Sequence, residues 1–577
     1  MGTADNRGNK KTYSGAELVV RMLADEGVDT VFGYPGGQVL DIYDALAAEK
    51  ARIRHILTSH EQGAAHAADG YARASGKTGV VIATSGPGAA NLVTGIATAY
   101  LDSSPMVAIT GNVPTSQIGR DSFQELDIAD ITMPVTKHNY IVKDVRALPS
   151  ILHEAFLIAA DRRKGPVLVD IPRDIQSARI PRAEAEALIK ECRSEPPLSR
   201  KRRTPSGIAE ALEIISKAER PFVYCGGGAV SANAGELAAT LAEKLSAPVG
   251  CSLMGLSALT ASVPGRLGLT GMHGLRASTE AFRGADTIIA VGTRFTDRAT
   301  GARGELVRNA KIVQLDIDPA EIDKNVTDAA YVVGDIRDSL NELLSRLPEP
   351  DEALSEKRRK WFTHTVGMYD ADLRGEASDA GEKRKTGFLC PREIIDAVSE
   401  RASGLTIVTD VGQHQMWAAQ YCPVTRPRGF ITSGGLGTMG FGMGAAIGAS
   451  LSDGGKPVVL YTGDGSFGMD LIELATAVSY NIPLMIIIMN NSSLGMVKQW
   501  QKMLYRRTSQ SELRRKTDFV KVAEAFGANG GRVTDINELR AAVKRAVDLL
   551  SRRRPVPFVI DCVIDPNERV LPVYTGK

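Results

Sequence analysis

The run Pro457-Val458-Val459-Leu460-Tyr461-Thr462-Gly463-Asp464-Gly465-Ser466, then Pro483 to Met489 and Asn490-Asn491, decides the fold class. Each apolar run is short, begins after a turn former and ends in polar residues. Such runs read as buried parallel strands, with the stretch between them as their crossover helix. Asp464 and Asn491 therefore fall at the carboxyl ends of neighbouring strands, where open α/β sheets bind ligands. An Asp carboxylate, an Asn amide oxygen and a nearby backbone carbonyl are hard donors that suit Mg²⁺ on a diphosphate. The glycines let backbone N–H groups approach phosphate oxygens. Taken alone, the same residues also fit two ordinary strand-end turns.

Outward from this pair, strand-like runs alternate with helical patterns along almost the whole chain, which argues for repeated βα units. Two polar, charge-dense stretches interrupt them, from about Ala178 to Pro205 (with Pro196-Pro197 and Arg200-Lys201-Arg202-Arg203) and from about Pro348 to Thr386. Both read as linkers or solvated surface helices. The expected architecture is α/β, with three doubly wound parallel-sheet domains at residues 12–180, 205–348 and 387–570. No short-period repeat is visible.

At 577 residues, with 69 basic and 67 acidic side chains giving a net charge of +2, the chain lacks a nucleic-acid footprint or polybasic anchor. Cys192, Cys225, Cys251, Cys390, Cys422 and Cys562 form no C-x-x-C pair and read as free thiols. Met1 to Lys11 has no apolar core of a signal peptide, and the uncharged stretch Ser433–Ser452 is too glycine-rich to insert in a membrane. A cytoplasmic enzyme with no membrane or nucleic-acid partner is the expectation.

In the N-terminal block, Val31 to Gly37 reads as a strand entering a glycine turn, His55 to Ser59 as a short strand, and His60 to Arg73 as an Ala-rich helix. Glu61 sits in that helix's first turn, where a carboxylate also serves as an ordinary dipole cap. His60 and His66 are six apart, not the four that puts two zinc ligands on one helix face. Val80 to Gly88 is a strand with a Gly-Pro-Gly turn into a helix.

Glu61, the Thr84–Gly88 turn, and the Gly463-Asp464-Gly465 and Asn490-Asn491 pair together resemble the thiamine-diphosphate (ThDP) enzymes of the pyruvate-decarboxylase superfamily. Within it the chain resembles acetohydroxyacid synthase (acetolactate synthase) catalytic subunits from about residue 12 to 570. The further matches are Phe32 to Gly37, Gly119 to Glu125, Lys137-His138-Asn139, Asp410 to Trp417, Ser433 to Gly440 and Leu494 to Gln501.

The resemblance implies that Glu61 hydrogen-bonds the cofactor's aminopyrimidine ring and drives its tautomerisation. It implies that Asp464, Asn491 and the Ser493 carbonyl hold Mg²⁺. Around ThDP it places Pro87, Val411, Gly412, Gln413, His414, Gly437, Met439, Gly465, Ser466, Leu494, Gly495 and Met496, with Met439 otherwise a core methionine. On the substrate side it places Gly37, Phe123, Gln124, Arg173, Arg298 and Trp500. It implies that Arg298 is the candidate anchor of the acceptor carboxylate, and that Trp500 is the acceptor selector, with a core tryptophan as the other reading.

For FAD the resemblance implies Arg163, Gly226, Gly227, Gly228, Met272, His273, Gly292, Arg294, Asp316, Ile317 and Asp335. The alternative is an empty degenerate central domain.

The implied reaction decarboxylates pyruvate and ligates its two-carbon unit to a second pyruvate or to 2-ketobutyrate, in branched-chain amino-acid synthesis. Implied partners are a second copy, as a homodimer or homotetramer with active sites between subunits, and a small regulatory subunit. A flavin-free catabolic acetolactate synthase, another ThDP-dependent 2-keto-acid decarboxylase or carboligase, and a non-catalytic homologue remain alternatives.

Asn112, Arg173, Thr296, Gly444, Asp470 and Ile472 depart from the family pattern, as does the tail Leu571-Pro572-Val573-Tyr574. Gly444 is expected to loosen a helix start, and Asp470 to add a carboxylate near the phosphate end.

Overall fold

The computed structural model describes residues 11–49, 51–194, 204–301, 307, 309–373 and 387–572. Among them are three six-stranded, all-parallel sheets flanked by helices, which is the expected α/β class. The chain divides into two compact units. One contains residues 1–201, 435–456 and 470–482, and the other contains 202–434, 457–469 and 483–577.

In the first unit the sheet runs Arg54–Leu57, Thr30–Tyr34, Gly79–Ala83, Met106–Asn112, Pro166–Pro172, His138–Ile141. Numbered along the chain, that order is 2-1-3-4-6-5. Gly79–Ala83 and Met106–Asn112 are buried at every position, as helices on both faces of a parallel sheet require. In the second unit, the sheet Phe430–Ile431, Thr406–Thr409, Val458–Gly463, Leu484–Asn490, Phe558–Val563, Asn529–Val533 repeats the 2-1-3-4-6-5 order. The chain therefore carries a domain-length repeat that no short period could reveal.

The central sheet differs. Its strands run Arg266–Leu269, Val249–Cys251, Pro221–Cys225, Thr287–Val291, Lys311–Asp316, Ala330–Val333, or 3-2-1-4-5-6 in chain order. This is the doubly wound order that binds dinucleotides at the reversal between strands 1 and 4. Cys225 and Cys251 are register partners on neighbouring strands of this sheet, and all six cysteines are free.

The described parts of the two polar stretches are more structured than linkers, and residues 195–203 and 374–386 lie outside the described residues. Arg179–Pro181 pairs antiparallel with Thr12–Ser14, and the helix Arg182–Ser194 follows. Pro196-Pro197 and the Arg200–Arg203 cluster lie outside the described residues. The helix Glu352–Leu373 packs on the central block rather than standing in solvent. Arg358 within it is buried, its guanidinium donating to the carbonyls of Ala218, Ile215 and Ser216, and the Trp361 indole donates to the Pro221 carbonyl.

In the first unit the helix Gly442–Ser452 packs on Glu61–Ser75 at backbone distance. A Cβ at Gly448 would lie 1.8 Å from the Ala67 carbonyl oxygen, one at Gly70 2.2 Å from that of Ala445, and one at Gly444 2.6 Å from that of Gly63. Gly444 therefore permits close contact, and does not loosen the helix as its sequence suggested. Asp470 accepts the Met443 N–H at 2.8 Å, so its extra carboxylate is committed to this helix start. Asn112 is likewise committed: its Nδ2 donates to buried Asp170 at 2.5 Å, and burial pushes that carboxyl up to about 7. We expect Gly448→Ala to destabilise the protein by about 1–3 kcal/mol, the usual effect of overpacking. The check is the thermal midpoint of the apoprotein, which should fall; an unchanged midpoint would mean that the helices separate freely.

Candidate functional site

Two adjacent strands of the first unit, Thr30–Tyr34 and Gly79–Ala83, end in turns that meet around Thr84, and the strand Arg54–Leu57 beside them ends in the turn that leads to Glu61. The Thr84 hydroxyl accepts the Gln38 N–H at 3.1 Å. Its side chain lies 2.5 Å from where a Cβ on Gly36 would stand and 2.8 Å from one on Gly88. Only glycine fits at both positions, so the turn carrying Gly37 and the turn carrying Pro87 are locked together. Pro87 opens the helix Pro87–Leu101, where its missing N–H is no loss. At the same turn Gly86 has φ +59, and its Cβ would stand 3.0 Å from Gln124.

Glu61 is the first residue of the helix Glu61–Ser75, just past a strand end. Its Oε2 accepts from Asn91 Nδ2 at 3.0 Å. Its Oε1 faces Gly88, where an added Cβ would stand only 3.3 Å away. One carboxylate oxygen is thus tethered, and glycine keeps space beside the other. Asn91 is a contact that sequence reasoning missed, because nothing in its local motif points to a partner 30 residues earlier.

Phe123 is 84% exposed, in a loop whose Glu125 carboxylate gathers the N–H groups of Gly119, Arg120 and Ser122. Those donors hold Glu125 below the usual carboxylate range. Arg173 is exposed at the carboxyl end of Pro166–Pro172, two strands from Gly79–Ala83, and so apart from the Glu61 cluster. Arg163 donates to the Ser103 hydroxyl at 3.0 Å, at the sheet's amino edge, opposite that cluster. Gly437 (φ +69) and Met439 sit in a segment held by Asp102 on the Gly435 N–H at 2.6 Å, and by the Thr98 hydroxyl on that of Thr438 at 2.7 Å. Met439 is half-buried rather than a core residue.

In the second unit, Asp464, Asn491 and Ser493 are each 5% exposed at the carboxyl ends of two neighbouring strands. Val411, Gly412, Gln413 and His414 follow the strand on the other side of Asp464. Ser466 Oγ donates to the Val411 carbonyl at 2.9 Å, closing one turn on the other. Gly465 lies between Asp464 and Ser466 in the first turn of the helix Asp464–Asp470. Gly412 adopts φ 153, ψ −161, a conformation confined to glycine.

Asn491 Nδ2 donates to Gln413 Oε1 at 3.1 Å, and Gln413 Nε2 donates to Gln499 Oε1 at 3.0 Å and to the Glu568 carbonyl at 2.8 Å. Because a carbonyl can only accept, Glu568 fixes the direction of the Gln413 amide, and Gln413 in turn fixes that of Asn491. Asn491 Oδ1 takes the Ser493 N–H at 3.0 Å, and a second lone pair remains on this amide oxygen. Gly495 makes the cluster possible, since its Cβ would stand 1.9 Å from Gln413 Oε1. Leu494 caps the helix Gly495–Tyr505, in which Met496 and Trp500 are half-buried while Lys498 and Gln499 are buried. The Trp500 ring centre lies 6.4 Å from that of His273.

This donor set fits a divalent cation on a diphosphate. Asp464 supplies a desolvated carboxylate, and burial pushes it up to about 6 despite the backbone N–H groups of Asp464 and Asn491. A cation would offset that desolvation. Burial holds His414 neutral, down to about 3, and its buried Nε2 has no protein partner, as a group awaiting a phosphate oxygen would. Among the described residues no cluster of three or more His, Cys, Asp or Glu could hold a metal. The mixed Asp, Asn and carbonyl set lies outside that pattern.

In the central sheet, Gly226–Gly228, Gly292–Arg294, Asp316-Ile317, Met272-His273 and Asp335 follow the carboxyl ends of five of the six strands. Gly226 and Gly228 pack on Gly292, with Cβ positions 2.2 Å and 2.7 Å from its atoms. These glycines therefore serve each other at the reversal point, while a Cβ on Gly227 would meet Met254 Cβ at 3.2 Å. The Asp335 carboxylate caps the helix Ile336–Arg346, and Asp316 accepts the Asp318 N–H at 3.0 Å. Arg298 is largely exposed, with Nη1 3.2 Å from Met272 Sδ. His273 is buried, and burial lowers it to about 4.

Residues 13–131, 208–343 and 410–562 match the N-terminal TPP binding, central and C-terminal TPP binding domains of thiamine pyrophosphate enzymes. The chain is 44% identical over 566 residues to the acetolactate synthase isozyme 3 large subunit of Escherichia coli, covering 97% of this chain and 96% of that one. It is 42% identical to the probable acetolactate synthase large subunit of Methanocaldococcus jannaschii, with 97% and 94% covered. It is 41% identical to the isozyme 2 large subunit of Escherichia coli, with 97% of each chain covered. A match of this extent, over a fold whose first and last sheets end in glycine-rich polar turns, places the chain in the acetolactate synthase large-subunit family of thiamine-diphosphate-dependent enzymes.

Proposed function

We propose that the chain decarboxylates pyruvate and joins the retained two-carbon unit to a second pyruvate or to 2-ketobutyrate, using ThDP, Mg²⁺ and FAD. The carrying observation is Glu61, a carboxylate with one oxygen tethered by Asn91 and the other cleared by Gly88. When bound, ThDP supplies the carbon nucleophile and the electron sink for decarboxylation. Glu61 would hydrogen-bond the aminopyrimidine ring nitrogen and favour its imino tautomer. Asp464, Asn491 and the Ser493 carbonyl would hold Mg²⁺, which would neutralise the diphosphate charge, and His414 and Ser466 would serve the phosphate oxygens.

Gly37, Phe123, Gln124, Arg173, Arg298 and Trp500 form the proposed substrate side, with Arg298 taking the acceptor carboxylate. The central strand order supports FAD binding along Gly226–Gly228, Met272-His273, Gly292, Arg294, Asp316-Ile317 and Asp335, with Arg163. The domain limits proposed are 12–180, 205–348 and 387–570, each enclosing one six-stranded sheet. A second copy and a small regulatory subunit complete the proposal. Exposed Phe123 (84%) and Met133 (62%) on the unit bearing Glu61 support an apolar partner surface. Among the described residues no helix is long and apolar enough to cross a membrane.

Purified protein with pyruvate, ThDP and Mg²⁺ should form acetolactate and should carry yellow flavin; absence of acetolactate would overturn the reading. Glu61→Gln keeps the size and a hydrogen bond but not the charge. Turnover should fall at least about 10²-fold with ThDP still bound, the low end of general acid–base contributions. Unchanged turnover would remove Glu61 from the chemistry.

Asp464→Ala removes the anionic ligand, and Mg²⁺ sites rest on only one or two carboxylates. ThDP retention should be lost, and excess Mg²⁺ should restore it only partly. Wild-type ThDP affinity by calorimetry would reject the metal assignment.

Trp500→Leu should lower the preference for 2-ketobutyrate over pyruvate by about tenfold, because one methylene in an apolar pocket is worth about 1–3 kcal/mol. The product ratio under competition measures this. An unchanged ratio would place Trp500 outside the acceptor pocket.

A further inference from the structure

Glu473 has no part in the reading above, yet it is 1% exposed and its carboxylate is fully engaged. Both oxygens take the Ser59 N–H, at 3.2 and 3.1 Å, and Oε1 also takes the His60 N–H at 3.0 Å. Thr476 Oγ1 donates to Oε2 at 2.6 Å. Ser59 Oγ donates to the Ile472 carbonyl at 2.9 Å, and the Tyr480 hydroxyl takes the Leu57 N–H at 2.9 Å. Segment 472–480 thus holds the main chain from the strand end at Leu57 to His60, the residue before Glu61. Gly63 is fitted to the same group: a Cβ there would stand 2.2 Å from Glu473 Oε1.

Capping alone does not account for this arrangement. The helix Glu61–Ser75 already has its side-chain cap, His60 accepting the Gln62 N–H at 3.0 Å. Glu473 instead binds the two N–H groups that precede the helix. A fully buried carboxylate is a costly way to satisfy two amides that water or a hydroxyl could serve. What it adds is a strong, directional hold on the angle at which the chain enters Glu61. Burial raises the Glu473 carboxyl, while Thr476, Ser59 and His60 act to keep it ionised.

We infer that Glu473 is a positioning residue for Glu61: it fixes the turn Thr58–His60 so that the Glu61 carboxylate meets the cofactor ring in register. The inference rests on the reading of Glu61 as the cofactor-activating carboxylate. It is tested by a double-mutant cycle on the full-length protein with ThDP and Mg²⁺, using Glu473→Gln, Glu61→Gln and the pair.

Three readings are taken: turnover, ThDP affinity by calorimetry, and the near-ultraviolet circular-dichroism band of the bound aminopyrimidine. Glu473→Gln alone should lower turnover about tenfold or more and weaken the band, with ThDP affinity held within about threefold. In the Glu61→Gln background it should change turnover by less than about twofold, the non-additivity expected of groups acting through one another. An equal loss in both backgrounds, or an undiminished band, would make Glu473 a packing residue only and overturn the inference. Full turnover in Glu61→Gln alone would overturn the Glu61 reading itself. If Glu473→Gln does not fold, Glu473→Asp carries the same cycle, because it keeps the charge and withdraws the carboxylate by one methylene.

Discussion

Between the helices Glu61–Ser75 and Gly442–Ser452 the main chains touch, and no large side chain separates them. Gly70, Gly444 and Gly448 each face a backbone atom of the other helix closer than any Cβ could stand. Dispersion contacts at that range are dense, and a single methyl would force the pair apart. Other placements in the first unit follow from this contact. Asp470 caps the second helix while Glu473, three residues on, holds the entry to the first. Partly buried Arg73 bridges Asp69 and Asp102 and lies over the Phe441 ring at 5.2 Å, and Asp102 also holds the segment that carries Met439. The position of the Glu61 carboxylate thus depends on glycines remote from it in the sequence.

Strand ends were the legible part of this chain. Continuous apolar runs stopped by Gly, Asp or Asn marked Val458–Gly463 and Leu484–Asn490, because a strand buried on both faces has no other composition open to it. The groups at those ends followed at once. What stayed hidden was whatever depends on partners far along the chain. Asn91 and Glu473 look like ordinary helix residues until the fold brings them to Glu61 and to Ser59-His60. Gly444 read as a defect because local propensity counts glycine against a helix, whereas its packing surface requires it. The charged stretch Glu352–Leu373 read as solvated, yet buried Arg358 satisfies three backbone carbonyls at the end of another helix. Its guanidinium acts there as a cap, a use that composition cannot distinguish from a surface charge.

In the second unit, direction rather than proximity is the informative quantity. An amide side chain can present either its oxygen or its nitrogen to a cation, and only the oxygen binds. The Val570 N–H donates to Gln499 Oε1 while its carbonyl accepts from Gln499 Nε2, and the Glu568 carbonyl accepts from Gln413 Nε2. Backbone groups cannot exchange these roles. The polarity they impose passes through Gln413 to Asn491, whose nitrogen is engaged there and whose oxygen is therefore turned away. Inverting one amide in this series would set two donors or two acceptors against each other at buried sites, which is costly for either partner.

The first and last sheets share one strand order, yet use it differently. In the first, the turns after strands 1, 2 and 3 converge on Thr84 and Glu61, a site of a single carboxylate with cleared space beside it. In the last, the turns after strands 1, 3 and 4 gather Gln413, Asp464 and Asn491. Topology therefore fixes where polar groups can collect, at the point where the order reverses, but not what they can do. That is decided by the turn residues: a helix-first glutamate with one oxygen tethered in one sheet, and an aspartate beside amides of fixed polarity in the other. A lone tethered carboxylate and a set of oxygen donors can thus come from one architecture, because a parallel sheet leaves its strand ends unpaired and the sequence chooses what fills them.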